Sequence, residues 1–409
     1  MNTRVELRNS YYKPVIHIVV IEFHHHSELI CNLIRVLELE SFKISLITVP
    51  EVLQQIDRKA LDEISQLTVF CKNDNENINS FIESMNSVFE SADILYFNTV
   101  RHFWSELCNI PIKAPAIIRI HNSHADLAPS SHFYRPMLNF PAIFSHMVRK
   151  VWISGEWRNR ERFLSQIDYF MFPNQAITDY VSGKGWVNND RILPPVMPFG
   201  FLGNAEVSID KKINERITIA ITGKVDSTRK NYNLVYDALK ICINRLHYPV
   251  RLVLLGKASG KQASRIIENL KSLESDRFSL EYSNDYISQK KFNDIISEVD
   301  FILAPIEVQT RFRKYREIYG KSKMSGIEND ILLYRKPSII TSEYIIKGEI
   351  SKVVKFVEPL PEDLADAIVE WVNKKRYVKL KRNFSEMKAY QPESVAKMFY
   401  ELCSNLIRK

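Results

Sequence analysis

The chain has 409 residues, of which 45% are hydrophobic and 25% charged, and its formal net charge is +8 at pH 7. This length exceeds what one hydrophobic core organises, so we expect two domains of about 200 residues each. The composition excludes a disordered chain, and the positive charge favours an anionic partner, whether nucleic acid, acidic lipid or a phosphorylated small molecule.

Hydropathy and cysteine usage narrow the class of protein further. No apolar run approaches the roughly 18 residues of a membrane span, and the strongest run covers only residues 15–21. The polar N-terminal segment shows no export signal, so we expect a cytoplasmic protein. The five cysteines are odd in number and widely spread, without a Cys-x-x-Cys pair, which indicates reduced thiols and no zinc site.

Short apolar runs alternate with amphipathic stretches through the first half, a pattern typical of a parallel sheet covered by helices. Residues 27–40 predict a helix, because Leu29, Leu33, Val36 and Leu37 fall on one stripe. The predicted strands of this half cover residues 15–21, 43–49, 92–98, 116–121 and 168–174.

The same pattern restarts after a polar, linker-like segment at 203–216. We therefore predict an N-terminal Rossmann-like domain at 1–202 and a C-terminal Rossmann-like domain at 203–390. An amphipathic helix at 391–409 is expected to cross back to the first domain. A further helix is predicted at 231–246. The predicted strands of the second half cover residues 217–224, 249–257, 277–283, 299–305 and 336–342.

Neither half carries a dinucleotide fingerprint at its first strand-to-helix junction. The two junctions read IEFHHHSEL and ITGKVDSTRKN, and neither fits G-x-G-x-x-G or a P-loop. The second junction suits a diphosphate, since Gly223 permits a tight turn and Lys224, Arg229 and Lys230 place positive charge before a helix. A solvated basic loop has the same composition, so both interpretations stay open from these residues alone.

A second candidate phosphate site lies at residues 320–341. Ser325 and Gly326 can start a helix there, with Glu328 and Asp330 in its first turns and a buried strand after it. The free amides and the partial positive charge at a helix start stabilise phosphate oxygens.

Together these features resemble the retaining GT-B glycosyltransferases, the family 4-like enzymes of group 1 that include bacterial polysaccharide glycosyltransferases. That family has a glycine and then an Arg-Lys-Asn-type segment after the first strand of the second domain, matched by Gly223, Arg229, Lys230 and Asn231. The resemblance covers most of the chain. It implies an α/β GT-B fold of two Rossmann-like domains facing a central cleft, with a nucleotide sugar held by the C-terminal domain.

The resemblance also suggests roles for acidic residues. The family carries Glu-x7-Glu before a Gly-Lys-Pro strand entry; counting back from Pro337, Asp330 takes the second acidic position and Ser322 the first. Ser322 is a departure from the pattern. Asp330 is then expected to bind the ribose, and Glu328 is the candidate to replace the missing sugar contact.

His121 matches the family histidine that touches the donor sugar, with Asn122 where the family usually has aspartate. Without the resemblance, a lone histidine at a strand end is more often structural. Residues 167–200 are similar to the family's inter-domain stretch, with Phe199 and Gly200 in place of its usual Asn-Gly ending.

His24, His25 and His26 occupy the first loop, where the family often has a glycine-rich acceptor loop, and we expect them to bind the acceptor or an anion. Adjacent histidines in a loop rarely aim at one metal ion, and the sequence has no Asp-x-Asp motif. Transfer without a metal or cofactor is therefore expected, with the basic loop neutralising the departing diphosphate.

The predicted function is transfer of a hexosyl group from a UDP- or GDP-linked sugar to a glycan, lipid-linked or protein acceptor during polysaccharide biosynthesis. Two alternatives stay open: a GT-B nucleotide-sugar epimerase, and a non-catalytic GT-B subunit that assists a partner enzyme. Nucleic acid is disfavoured as a partner, because the basic residues are dispersed and no reader motif is present. The basic and aromatic segment at 146–163 fits either peripheral contact at the inner face of a membrane or a partly buried helix with a basic outer face.

Overall fold

The computed structural model describes residues 13–24, 27–56, 61–128, 145, 148, 155–203, 216–312 and 315–408. The chain forms two compact units. The first comprises Met1–Ile118, Gly155–Tyr169 and Ala396–Lys409, and the second comprises Arg119–Ser154 and Phe170–Val395. Most of the predicted linker at 203–216, most of the basic segment before residue 155, and His25 and His26 lie outside the described residues. The domain boundary at 202 stays a prediction.

The first sheet is parallel and has the strand order β3-β2-β1-β4-β5-β6. Its strands β1, β2 and β4 are buried along nearly their whole length, which is why they stand out in the sequence as continuous apolar runs. The strands are β1 (Ile16–Glu22), β2 (Phe42–Thr48), β3 (Leu67–Cys71), β4 (Ile94–Thr99), β5 (Ala116–Arg119) and β6 (Tyr169–Met171).

The second sheet has the order β14-β13-β10-β7-β8-β9. Renumbered from its own first strand, this is the same order as in the first sheet, 3-2-1-4-5-6, which is typical of nucleotide-binding α/β units. Its strands are β7 (Ile217–Thr222), β8 (Val250–Lys257), β9 (Phe278–Ser283), β10 (Phe301–Ala304), β13 (Ser338–Thr341) and β14 (Val354–Val357).

A two-stranded antiparallel hairpin, β11 (Gln309–Phe312) and β12 (Tyr315–Ile318), is inserted after β10. This hairpin was not predicted, because its strands are short and contain charged residues with no apolar run. The edge strands β3 and β14 were missed for a similar reason, since both are short and only partly buried.

Helices connect the strands. Those before the second sheet are α1 (Ser27–Glu38), α2 (Pro50–Leu53), α3 (Ile78–Ser84), α4 (Asn86–Glu90), α5 (Trp104–Leu107), α6 (Ser123–Asp126), α7 (Glu156–Gln166) and α8 (Gln175–Lys184). Those that follow are α9 (Tyr232–Cys242), α10 (Lys261–Lys271), α11 (Gln289–Glu298), α12 (Ile327–Tyr334), α13 (Pro361–Lys374), α14 (Arg376–Lys381) and α15 (Pro392–Ile407). Within the described ranges, no helix combines the length and the apolar character that a membrane span requires.

The C-terminal helix α15 supplies aromatic side chains to the core of the first unit. Phe399 is fully buried and packs edge-on against Tyr96 at 5.7 Å between ring centroids, and it lies 6.1 Å from the Phe42 ring. The apolar stripe predicted for this segment is therefore the face that the helix buries.

Candidate functional site

The loop between β7 and α9 carries the predicted diphosphate-binding residues. It leaves the strand at Gly223, whose φ of +85° is a backbone conformation that glycine adopts without strain. The Asp226 carboxylate accepts hydrogen bonds from the Thr228 amide at 2.9 Å and hydroxyl at 2.7 Å. The loop ends at Asn231, whose side chain caps α9 by accepting from the Leu234 amide at 3.0 Å.

Lys230 folds back over the start of this loop. Its Nζ donates to the Lys224 carbonyl at 3.0 Å, and a Cβ added at Gly223 would lie 3.4 Å from that Nζ. Burial, with a smaller contribution from the charge of Arg229, lowers the pKa of Lys230 to about 8, while the charges of Asp330 and Asp226 act in the opposite direction. The ammonium is thus held beside a glycine turn, where burial disfavours its charge more than the two aspartates favour it.

Asp226 lies near two of the basic side chains of the loop. Burial acts to raise the pKa of Asp226, but the hydrogen bonds from Thr228 and the charges of Arg229 and Lys224 hold it below its usual value. The Asp226 carboxylate therefore stays ionised, and its hydrogen bonds with Thr228 stabilise the turn of the loop.

Gly256 on β8 allows the backbone of the glycine turn to approach closely. A Cβ at this position would fall on the Gly223 carbonyl and within 2.8 Å of the Lys224 amide nitrogen. No other residue type fits here without a shift of backbone. Sequence reasoning missed this glycine, although the low glycine content of the chain, 11 in 409 residues, made a glycine at the end of a strand informative.

The basic loop lies at the point where the strand order of the second sheet reverses, between β7 and β10. Backbone bonds join it to the segment after β10: the Asn231 amide donates to the Pro305 carbonyl at 2.7 Å, and the Glu307 amide donates to the Arg229 carbonyl at 3.0 Å. Open α/β sheets bind ligands in the crevice at such a switch point.

Helix α12 brings Asp330 into the same neighbourhood, because its charge acts on Lys230. The helix begins after Gly326, which is exposed and has open space where a Cβ would be. The Ser325 amide is already engaged, since it donates to the Tyr344 hydroxyl at 2.9 Å. Of the two residues predicted to start this helix, Gly326 is the one that faces open space.

Glu328 is buried, at 3% exposure, with hydrogen bonds to both carboxylate oxygens. The Asn174 amide lies 3.1 and 3.2 Å from the two oxygens, and the Tyr344 hydroxyl donates to Oε1. Burial raises the pKa of Glu328 to about 7. Through these hydrogen bonds, Glu328 connects α12 to Asn174 and Tyr344. The contact of Glu328 with a donor sugar stays a prediction.

His121 follows β5 and stacks on Phe199, with ring centroids 4.3 Å apart. The guanidinium of Arg119 also lies 4.3 Å from the Phe199 ring and donates to the Met197 and Pro198 carbonyls at 2.9 and 2.7 Å. Phe199, which stands in place of the resembled family's asparagine, therefore holds the histidine by an aromatic contact.

Three polar atoms near this stack are buried and have no hydrogen-bond partner in the part of the chain that the structure describes: Asn122 Oδ1, Ser123 Oγ and Asn329 Oδ1. Asn329 lies against Gly200, where an added Cβ would come within 2.8 Å of its Oδ1. Buried polar atoms in native proteins are normally satisfied. These three are therefore candidates to contact a hydroxylated ligand, and none was predicted as a binding residue from the sequence.

Glu317, on the inserted hairpin, is a further buried carboxyl that sequence reasoning missed. It accepts from the Ser322 hydroxyl at 2.6 Å and from the Ala125 amide at 3.0 Å. Burial raises its pKa to about 7. Ser322 stands at the position of the first glutamate in the family pattern, and its hydroxyl donates a hydrogen bond to a carboxylate five residues earlier in the chain.

His24 belongs to the first unit and lies just after β1. Its amide donates to the Glu22 carboxylate at 2.6 Å, and its ring lies 5.5 Å from that of His102. No group of three or more histidine, cysteine or acidic side chains among the described residues could hold a metal ion.

No protein-family model and no curated protein matches this sequence. Solved structures do match. Anabaena Alr3699/HepE in complex with UDP and glucose gives a TM-score of 0.56 at 12% identity, over 95% of this chain and 100% of that one. The avilamycin A biosynthesis glycosyltransferase AviGT4 gives 0.56 at 10% identity, over 96% and 98%.

The pneumococcal O-GlcNAc transferase GtfA, in complex with UDP and GlcNAc, gives a TM-score of 0.54 at 8% identity, over 97% of this chain and 100% of that one. The fold is GT-B. These three neighbours align over 98–100% of their own length, and this chain has two parallel six-stranded sheets, which confirms the predicted α/β fold class. At these identities, the likeness is one of fold.

Proposed function

We propose that this GT-B protein is a glycosyltransferase that binds the diphosphate of a nucleotide sugar at the basic loop after β7. The observation that carries the proposal is the convergence at the β7–β10 switch point of the Gly223 turn, the half-buried Lys230 side chain and Asp330. A lysine ammonium beside a glycine turn, with Lys224 and Arg229 in the same loop, is suited to two phosphate groups.

The chemistry follows from this placement. As the bond between sugar and diphosphate breaks, negative charge builds on the leaving phosphate, and Lys224, Arg229 and Lys230 stabilise it without reorganising. We propose transfer without a metal ion or cofactor on this basis. Asp330 keeps its expected role of binding the ribose of a UDP- or GDP-linked donor. Retention of configuration rests on the family resemblance.

The unsatisfied oxygens of Asn122, Ser123 and Asn329 support a sugar site beside His121. Sugar hydroxyl groups can donate to such acceptors, and their binding would remove the cost of burying them unpaired. The GT-B neighbours HepE and GtfA were crystallised with UDP and a sugar. For this chain we propose a hexose donor and a glycan, lipid-linked or protein acceptor, in polysaccharide biosynthesis at the cytoplasmic side of a membrane.

A second candidate function is a nucleotide-binding GT-B subunit that assists a partner enzyme without catalysing transfer itself. The burial of Glu328 among Asn174 and Tyr344 favours it, because this carboxyl was the proposed replacement for the missing sugar contact. Such a subunit would bind the nucleotide with no turnover.

A panel of UDP- and GDP-sugars, scored for thermal stabilisation and for release of the nucleoside diphosphate, tests the proposal. A ligand at 100 times its dissociation constant stabilises the folded state by about 2.7 kcal/mol, so a donor should raise the melting temperature. We expect Lys230→Ala and Arg229→Ala to abolish turnover with the fold intact. Stabilisation without turnover by any member would favour the subunit, and unchanged turnover in both variants would contradict the proposed site.

A further inference from the structure

The short helix α6 is not capped by its own N-cap residue. Asn122 precedes the helix in the N-cap position, where an asparagine side chain normally accepts a hydrogen bond from the second or third amide of the helix. The Asn122 side chain makes no such bond. Its Oδ1 is buried and has no hydrogen-bond partner among the described residues, so the residue type suited to the cap is present but serves another purpose.

Glu317 of the inserted hairpin takes the place of this cap. Its carboxylate accepts from the Ala125 amide at 3.0 Å and from the His124 amide at 3.4 Å. These are the third and the second amides of α6, the two that an N-cap side chain serves. A carboxylate from another element thus caps the helix, and the Asn122 oxygen stays available.

The hairpin presents Glu317 to α6 through the alternation of its side chains. In β12, Arg316 is exposed whereas Glu317 is fully buried, because neighbouring residues of a strand point to opposite faces. The Ser322 hydroxyl, just after the hairpin, donates to Glu317 Oε2 at 2.6 Å. Both carboxylate oxygens therefore have hydrogen bonds, as a buried acid requires.

Ser322 also fixes the backbone that leads into α6. The Ser123 amide donates to the Ser322 carbonyl at 2.8 Å, and Asn122 forms a backbone bridge with Lys323. Ser322 therefore binds Glu317 through its hydroxyl and Ser123 through its carbonyl. This gives a structural role to the serine that stands at the position of the first glutamate in the family pattern.

The residues held in this way carry oxygens of the proposed sugar site beside His121. Asn122 and Ser123 are 4% and 0% exposed, and neither Asn122 Oδ1 nor Ser123 Oγ has a hydrogen-bond partner within the described ranges. Without Glu317, the α6 amides would need a new acceptor, and the Asn122 side chain is the one beside them. Its oxygen would then no longer serve a ligand.

We propose that Glu317 is a positioning residue of the sugar site: it caps α6 in place of Asn122 and so leaves the Asn122 oxygen to a hydroxyl group of the donor sugar. This inference rests on the proposed function and extends it to a residue that acts through Asn122 instead of touching the substrate. Ser322 holds Glu317 in this position.

A double-mutant cycle in urea unfolding tests the exchanged cap without a ligand. In Glu317→Ala, the α6 amides lose the carboxylate and the Asn122 side chain replaces it. Asn122→Ala should therefore raise the unfolding equilibrium constant about fivefold more in the Glu317→Ala background than in the unmodified protein, the effect of one N-cap. Equal effects of Asn122→Ala in both backgrounds would overturn the proposal.

Calorimetric titration with UDP-glucose, UDP-N-acetylglucosamine and GDP-mannose, each beside its nucleoside diphosphate, tests the role in sugar binding. The ratio of the two affinities isolates the contribution of the sugar. For the nucleotide sugar that the unmodified protein binds most tightly, Glu317→Ala and Asn122→Ala should each lower this ratio about tenfold, the equivalent of one or two net hydrogen bonds. The diphosphate should bind as before, and the double variant should lower the ratio no further than either single variant.

Conservative variants show whether geometry or charge is responsible. Glu317→Gln keeps an acceptor of the same size for the α6 amides, so it should retain most of the ratio. Glu317→Asp keeps the charge but shortens the side chain, so it should reproduce the loss even where Glu317→Ala fails to fold. Glu343→Ala is the matched control, because this acid is exposed and lies outside α6 and the hairpin. An unchanged ratio in both Glu317→Ala and Glu317→Asp, or losses that multiply in the double variant, would overturn the proposal.

Diphosphate binding separates this inference from the proposed function. Diphosphate binding without coupling between Glu317 and Asn122 would overturn the positioning role alone. A coupled unfolding cycle without nucleotide binding to the unmodified protein would support the exchanged cap and contradict the donor site.

Discussion

Lys230 makes the charge of the proposed site depend on pH. Its side chain is half-buried beside Gly223, and its ammonium donates to the Lys224 carbonyl. With a pKa of about 8, the ammonium carries its charge at neutral pH and loses it as the pH passes about 8. A diphosphate needs the charged form. Ligand affinity should therefore depend on pH in a range where the phosphates themselves do not titrate.

We predict that UDP affinity falls by about tenfold or more between about pH 7 and about pH 9.5, because deprotonation of Lys230 removes its charge. Lys230→Arg keeps its charge throughout this range, so its affinity should be weaker at pH 7 yet nearly flat with pH. Calorimetric titrations across the range measure both profiles. Parallel profiles for the two proteins would show that Lys230 is not the titrating group.

Glu328 gives a prediction for stability. Its folded-state pKa of about 7 lies above its ordinary value of 4.5, so the folded protein favours the protonated form. The stabilisation is complete below the unfolded value and is lost as the pH rises through about 7. Glu328→Gln removes this dependence, and its stability relative to the unmodified protein should rise with pH by up to about 1.4 kcal/mol per unit.

Urea unfolding at about pH 5 and about pH 7 measures that difference. Glu317 and Glu22 have raised pKa values of the same sign and are present in both proteins, so their contributions cancel in the comparison. A difference between variant and unmodified protein that stays constant with pH would contradict the assignment.

The conformation of the Gly223 turn depends on β8, the strand beside it. Gly256→Ala would place a Cβ on the Gly223 carbonyl, so β8 or the turn must move. Overpacking of this kind costs on the order of 1–3 kcal/mol, and we expect UDP binding to weaken as well. Gly183→Ala is the control, because this helical glycine has no atom within 4 Å of its Cβ position.

Urea unfolding and UDP titration of the two glycine variants check the prediction. Gly183→Ala should be neutral or slightly stabilising, since alanine is the better helix former. Equal stability of Gly256→Ala and Gly183→Ala would mean that β8 does not constrain the turn.

The elements also show what the sequence could and could not predict. The interior strands β1, β2, β7 and β8 are buried on both faces, so their apolar runs located them to within one or two residues. The edge strands β3 and β14 and the β11–β12 hairpin lack such runs. The charges of the basic loop were visible in the sequence, whereas the fold of Lys230 over Gly223 and its proximity to Asp330 depend on tertiary contacts.

Residues that act only through tertiary neighbours were the ones missed. The Oδ1 atom of Asn329 is buried and lies against Gly200, and Glu317 is buried in contact with Ser322 and the backbone of α6. Neither belongs to a local pattern. From the sequence alone, an acidic residue in a short strand such as β12 is expected to be exposed to solvent, because acidic side chains are rarely buried.

For the molecule as a whole, two parallel six-stranded sheets with the same strand order each present a switch point. The switch point of the second sheet carries the basic loop, whose cations are suited to a diphosphate. The GT-B fold alone would not assign this role to the loop.

The most direct test of the central claim is calorimetric titration of the full chain with UDP and with GDP, beside Lys230→Ala and the exposed control Lys240→Ala. We predict that one of the two nucleotides binds the unmodified protein and the Lys240→Ala variant equally, and that Lys230→Ala binds it at least about tenfold more weakly, the equivalent of one charge-assisted hydrogen bond. Equal binding by all three proteins, or no binding of either nucleotide to the unmodified chain, would contradict the proposed donor site.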